Sequence, residues 1–170
     1  GRAHRLRSKT GEGIMKPESL ARSLAEHPFC KELTQAQVEF LAGCAKNARY
    51  EADDYLVREG SLADAMFLVR SGSVAIETHV PGRGSLQVDT ASSGDIVGWS
   101  VLLPPFRWQL DARALEPTLV FSFDANCIRG KVQADPSFGY AFTLKLLACA
   151  SDRLTQARLQ QLDVYKSELG

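Results

Sequence analysis

Between Ala45 and Asp124 the chain is cut into short segments whose apolar residues alternate or run β-branched, and that period rules out most other ways of folding it. Examples are residues 66–70 (MFLVR), 73–79 (SVAIETH), 85–90 (SLQVDT), 110–115 (LDARAL) and 118–124 (TLVFSFD). Ser-Gly, Pro-Gly-Arg-Gly, Ser-Ser-Gly-Asp and Glu-Pro turns separate them. About eight strands at such spacing fit a sandwich or barrel rather than helix-linked parallel units. Long open sheet edges invite aggregation, so closure is favoured. The reading is mainly β with flanking helices: an eight-stranded antiparallel jelly roll (a double-stranded β-helix) over residues 45–124.

Helical patterns lie on both sides of the roll. In the N-terminal segment 15–44, Leu20, Leu24 and Phe29 mark one apolar face. Thr34-Gln35-Ala36-Gln37 reads as a capping box, with the Thr34 hydroxyl and the Gln37 side chain serving the first free amides. Val38, Leu41 and Ala42 form the apolar side of that helix, which should end near Gly43. After the strands, Asp124 can cap a helix running to about Ala134. Asp135-Pro136 then supplies an N-cap followed by proline at the first helical position. No proline follows, and Tyr140, Leu144, Leu147, Ser151, Leu154, Arg158, Gln161 and Tyr165 recur at alternating intervals of four and three. That is a heptad seam of roughly four repeats, long for a small domain. The C-terminal helices therefore span 125–165, with a tail at 166–170, and a homodimer paired through residues 138–165 is expected.

Composition serves mainly to exclude. At 170 residues, 45% hydrophobic and 24% charged, the chain can bury a conventional core. Lys plus Arg and Asp plus Glu both number 20, so overall charge gives no footprint for a dedicated nucleic-acid or membrane binder. No apolar run approaches the roughly 18 residues that span a bilayer, and the start lacks the apolar core of a secretory signal. Cys30, Cys44, Cys127 and Cys149 are scattered with no close pair, and are read as reduced thiols of a cytoplasmic protein. Residues 1–14 carry Arg2, Arg5, Arg7 and Lys9 among Gly, Ser and Thr, as a flexible basic arm or an expression remnant, with Met15 a candidate start. His4, His27 and His79 are too dispersed for the clustered ligands of a metal-dependent β-roll enzyme, so neither a metal site nor catalysis is expected.

Particular residues then narrow the fold. The run 59–77 (EGSLADAMFLVRSGSVAIE) places Glu59, Gly60, Asp64, Phe67, Gly72 and Val74 in one ordered stretch. Further on come 94–98 (GDIVG) and Ala112-Arg113-Ala114. In order and spacing, residues 17 to 165 resemble the cyclic-nucleotide-binding domain, notably the effector half of Crp/Fnr-type regulators. Gly60, Gly72 and Gly94 identify the roll, since tight turns at strand ends need their conformational freedom.

The resemblance places function in a phosphate-binding cassette at 94–114. It implies that Gly98 lets the backbone approach a cyclic phosphate, while a one-turn helix over Ser100-Val101-Leu102-Leu103 aims free amides at the anion. Pro104-Pro105 would stop that turn. The side chains depart from the family. Where a glutamate usually receives the ribose hydroxyl stands Trp99, which has one donor and no acceptor. Where an arginine usually holds the phosphate stands Trp108, with Arg107 one residue earlier and able to take that role after a one-residue slip. Gln109 occupies the place of a small hydroxyl residue, and Ala157 and Arg158 fall where the family's long helix faces a purine. Trp99 and Trp108 are the only tryptophans. They either stack on a planar ligand or fill the space that a nucleotide would occupy.

These residues imply a regulatory sensor rather than an enzyme. An anionic, nucleotide-like effector, a cyclic nucleotide among the options, would bind at Gly98, Trp99, Ser100, Arg107, Trp108, Gln109 and Arg158 and signal through the long helix. Crp/Fnr regulators continue into a helix-turn-helix domain, and this chain stops after Leu162-Asp163-Val164-Tyr165, about where that domain would be tethered; a protein partner or a separate DNA-binding half would carry the output, and DNA binding within these residues is not expected. The alternative is a degenerate roll that binds no ligand and serves as a dimerising protein-interaction scaffold. Iron–sulfur relatives use an N-terminal cysteine cluster that is not seen here, and His79 is a haem ligand only by elimination.

Overall fold

The structure is a computed structural model that describes residues 17–170, so the basic arm, Met15 and His4 lie outside the described residues. The order is α1 (Pro17–Ala25), a 3₁₀ turn (Pro28–Cys30), α2 (Gln35–Ala42), then β1 (Ala45–Tyr50), β2 (Tyr55–Val57), β3 (Ala65–Ser71), β4 (Ser73–Val80), β5 (Gly84–Ser92) and β6 (Ile96–Val97). A second 3₁₀ turn (Trp99–Leu102) precedes β7 (Asp111–Ala114), β8 (Thr118–Asp124), α3 (Ala125–Ala134) and α4 (Pro136–Glu168). The strands form two antiparallel four-stranded sheets, ordered β1-β8-β3-β6 and β2-β7-β4-β5. This is the jelly roll that the alternation predicts.

The helix boundaries are chemical. Thr34 Oγ1 accepts from the Gln37 amide at 3.1 Å while the Thr34 amide donates to Gln37 Oε1 at 2.9 Å, completing the capping box. Asp124 accepts from the Cys127 amide at 3.2 Å and Asp135 from the Phe138 amide at 3.1 Å, so both C-terminal helices begin where the sequence places them.

One continuous core reaching both faces of β3 and β8 explains why these strands are largely apolar throughout. Met66 to Val69 and Val120 to Phe123 are buried without interruption. One face of this pair looks across the roll, and helices cover the other. There the His27 ring meets Phe121 edge-on at 6.3 Å. Phe29, Phe40, Phe138 and Phe142 continue the layer through ring contacts of 5.0 to 5.8 Å. His27 is buried and fully bonded: Nδ1 accepts the Phe29 amide at 3.2 Å, so Nε2 carries the hydrogen donated to the Val69 carbonyl at 2.9 Å. Burial lowers its pKa, reinforced by nearby Arg70 and opposed by the Val69 bond and Asp95.

One sequence expectation needs correcting. Cys44 and Cys127, 83 residues apart in sequence, form a disulfide with Cα atoms 5.5 Å apart, so only Cys30 and Cys149 are free thiols. The strands between them bring the end of α2 back against α3, a proximity that spacing along the chain cannot reveal. The cysteine argument for a reducing compartment therefore does not stand. Most of the heptad seam faces away from the roll, with Leu154 at the cavity rim. Phe138, Phe142 and Leu146 form the buried stripe of α4, whereas Tyr140, Leu144, Leu147, Leu154 and Tyr165 are exposed. From Leu154 onward every residue of α4 is exposed. No described helix is long and apolar enough to cross a membrane.

Candidate functional site

Beyond β6 the chain reverses at Gly98 (φ +94) into the 3₁₀ turn Trp99–Leu102, then returns through an extended segment into β7. The turn begins one residue earlier than predicted. Leu103 donates to the Ser100 carbonyl at 3.0 Å as the turn closes. On its far side Arg129 of α3 donates to the Val101 carbonyl at 2.6 Å and covers the Phe106 ring at 4.6 Å, tying cassette and C-terminal helices together.

Trp108 determines the floor of the site. Its backbone pairs with the turn after β2: the Trp108 amide donates to the Ser61 carbonyl at 3.0 Å, and the Gly60 amide to the Trp108 carbonyl at 2.8 Å. This pairing turns the buried indole inward onto Gly98. A Cβ placed on Gly98 would lie 2.5 Å from the ring's Cη2 and 2.7 Å from Cζ3. Glycine is therefore required by an internal tryptophan as well as by the left-handed backbone. Extended-chain alternation sends the neighbouring Arg107 the other way. Arg107 forms a bridge with Leu62, and its Nη1 donates to the Gly60 carbonyl at 2.7 Å in an exposed position.

Above this floor is a cavity of about 420 Å³. The cassette contributes Gly98, Trp99, Ser100, Trp108 and Gln109. The second sheet contributes Val57, Ile76, Val88, Asp89, Asp111 and Ala112, and β6 adds Ile96 and Val97. The roof is α4, through Ala150, Arg153, Leu154, Gln156, Ala157 and Gln160. Five of the predicted ligand-binding residues thus share one cavity, and two lie outside it. Arg107 points away for the reason just given. Arg158 sits about 100° around the helix from Ala157, on the outward seam.

The missed residues are Arg153, Asp89 and Asp111. Arg153 Nη1 meets Asp89 Oδ2 at 2.9 Å, and Nη2 donates to the Ile96 carbonyl at 3.0 Å. Its guanidinium lies 5.3 Å from the Trp99 ring centre. Asp111 is buried, accepts the Glu59 amide at 2.7 Å and lies 3.8 Å from Arg58. A sequence signal for Arg153 existed. Phe138, Phe142, Leu146, Cys149 and Arg153 form a second stripe at intervals of four and three, beside the more regular seam that drew attention instead. Behind the cavity wall, Arg113 of β7 grips the buried Glu77 carboxylate through Nη2 at 2.5 Å and reaches Asp53 at 2.6 Å. The bond to Glu77 raises the guanidinium pKa further, against the opposing effect of burial. Arg113 is therefore a structural tie.

The arrangement leaves a half-open cavity between two sheets and a helix, with indole, aliphatic and amide walls. Among the described residues, no group of three or more His, Cys, Asp and Glu side chains could hold a metal ion. A family model described as the cyclic nucleotide-binding domain matches residues 48–135. No curated protein matches the chain in sequence. Among solved structures, the chain is similar to a cyclic nucleotide-binding domain from Methylobacillus flagellatus, at 16% identity over 94% of this chain and 96% of that one, with a TM-score of 0.77. It is similar to the sensor domain of the transcriptional regulator DNR from Pseudomonas aeruginosa, at 21% identity over 85% and 93%, with a TM-score of 0.64. The regulatory domain of Toxoplasma gondii PKA, solved with cAMP, matches at 18% identity over 80% of this chain and 50% of that one, with a TM-score of 0.66. At these identities the likeness is one of fold.

Proposed function

Because the chain belongs to the cyclic nucleotide-binding domain family, whose members are regulatory binding modules, we propose that it is a non-catalytic sensor that takes a small effector into the cavity beneath α4 and reports occupancy through that helix. The observation that carries this reading is the composition of the cavity wall. Cassette residues Trp99 and Trp108 line one half-open cavity with Arg153 and Ala157 of α4, so an occupant touches the cassette and the helix at once.

A ligand shifts a two-state element only through different affinity for its states. Here α4 is the element with states to choose between. Its first half is anchored by Phe138, Phe142 and Leu146, and its second half rests on the roll mainly through Arg153. Arg129 gives the cassette a second link to the helices through α3.

The output in this proposal is a homodimer formed along 138–165. The exposed second half of α4 supports it, because a helix of that length with no packed face is marginal in water, while a heptad of Leu147, Leu154 and Tyr165 offers a second copy a seam. The competing reading, a ligand-free dimerising scaffold, draws on the Trp108 ring seated over Gly98.

Amide hydrogen exchange separates the two. The chain is measured alone and then with cyclic AMP, cyclic GMP or the uncharged aromatic probe N-phenyl-1-naphthylamine. Slower exchange across 146–160 with any one of the three supports the sensor; unchanged exchange with all three leaves the scaffold.

A further inference from the structure

A cyclic phosphate makes three demands on its site: backbone amides open to close approach, a cation free to meet it, and no uncompensated anion alongside. The cavity meets them poorly. The side of Gly98 on which a Cβ would sit is filled by the Trp108 indole. Arg153 is the one cationic side chain in the cavity wall among the described residues, and it is held by Asp89 and the Ile96 carbonyl. Drawing Arg153 toward a ligand anion would leave the Asp89 carboxylate facing that same anion. Asp111 adds a second, buried carboxylate to the wall, already paired with Arg58 and the Glu59 amide. The nearest other candidate, Arg107, is committed to the Gly60 carbonyl outside the cavity.

The remaining surface suits different chemistry. Two indoles and aliphatic side chains from both sheets and α4 make up most of the wall, around a volume of about 420 Å³. That is within the range of sites for small organic molecules. Gln109, Gln156 and Gln160 add neutral amides able to bond one polar edge of a ligand. Trp99 offers a ring face already flanked by Arg153, which holds its plane for stacking.

We infer that this cavity takes an uncharged, planar, largely apolar molecule with a single polar edge rather than a cyclic nucleotide. The inference rests on the sensor reading above and specifies its ligand class. Recognition is then by desolvation and ring stacking, and Arg153 with Asp89 acts as a neutral latch between α4 and β5 rather than as an anion receptor.

The test uses N-phenyl-1-naphthylamine, whose fluorescence rises when it leaves water, with the full chain. The expected result is saturable binding that a roughly hundredfold excess of cyclic AMP or cyclic GMP over the probe does not reverse. Ala157→Phe projects a ring into the cavity from an exposed helix position and should weaken the probe about tenfold with an unchanged circular dichroism spectrum; Ala150→Phe checks the same wall from two turns earlier along α4. Displacement of the probe by either nucleotide overturns the uncharged ligand class and leaves the sensor standing. Probe binding that both variants leave untouched lies elsewhere and also overturns it. No response to any of the three compounds removes the inference and the sensor reading together.

Discussion

Arg153 and Asp89 close the cavity by a 2.9 Å ion pair between the middle of α4 and β5, and the same guanidinium also binds the Ile96 carbonyl at the entrance to the cassette. Past this point every residue of α4 is exposed. The pair is only partly shielded from water, so its energetic contribution is modest. Its positional effect is larger, because it is the last attachment of a long lever.

Arg153→Ala should therefore lower stability by only about 1 kcal/mol while clearly speeding amide exchange across 150–165. Asp89→Asn should do less, since Arg153 keeps its bond to Ile96. Equal exchange in both variants and the parent chain would show that the pair does not hold the helix.

Gly98→Ala combines a left-handed backbone with a Cβ pressed onto the Trp108 ring. A loss of about 2 kcal/mol is expected in urea unfolding, from strain and displacement of the indole together. Gly98→Ala with Trp108→Leu should recover part of that loss, because the ring component disappears while the φ component stays.

His27 makes stability depend on pH. Its folded pKa lies below the ordinary value of 6.5, with burial as the main cause. Above that value both folded and unfolded states hold it neutral and no dependence arises. As pH falls through 6.5 the unfolded chain takes the proton first, so stability declines until the folded pKa is also passed. Thermal melts between pH 7.5 and 5.5 should show a falling Tm that flattens in His27→Gln.

The cysteines should divide three ways. Burial pushes the Cys30 thiol up to about 12, so iodoacetamide at pH 8 should leave it unmodified in the native state. Cys149, half-buried with its pKa raised less strongly, should react first. Cys44 and Cys127 should become alkylatable only after reduction, and the Cys44→Ser, Cys127→Ser double variant should lose about 2–4 kcal/mol as the long loop between them is released. Four equivalents of free thiol in the untreated native protein would contradict the disulfide.

Much of the architecture was legible before any coordinates. The alternation from Ala45 to Asp124, the Thr34–Gln37 box and the caps at Asp124 and Asp135 are local, and local sterics and hydrogen bonding act within a few residues of the chain. Which cassette residues turn inward was less legible. Trp108 is inward and Arg107 outward because residues 107–108 pair with the 60–62 turn, and the hydrogen bonds to Ser61 and Gly60 choose between two faces that the sequence alone leaves equivalent.

By itself, the sequence determined the roll, its helices and their ends, since period and capping depend on neighbours three or four positions away; the region of the cavity came from the resemblance of residues 94–114 to a phosphate-binding cassette. Tertiary packing alone decided that Cys44 meets Cys127, that Arg153 rather than Arg158 reaches the cavity, and that the Trp108 indole is packed against Gly98. Each of these depends on the closure of strands distant in sequence. Burial, charge pairing and the direction of a side chain are settled only when those distant surfaces come together.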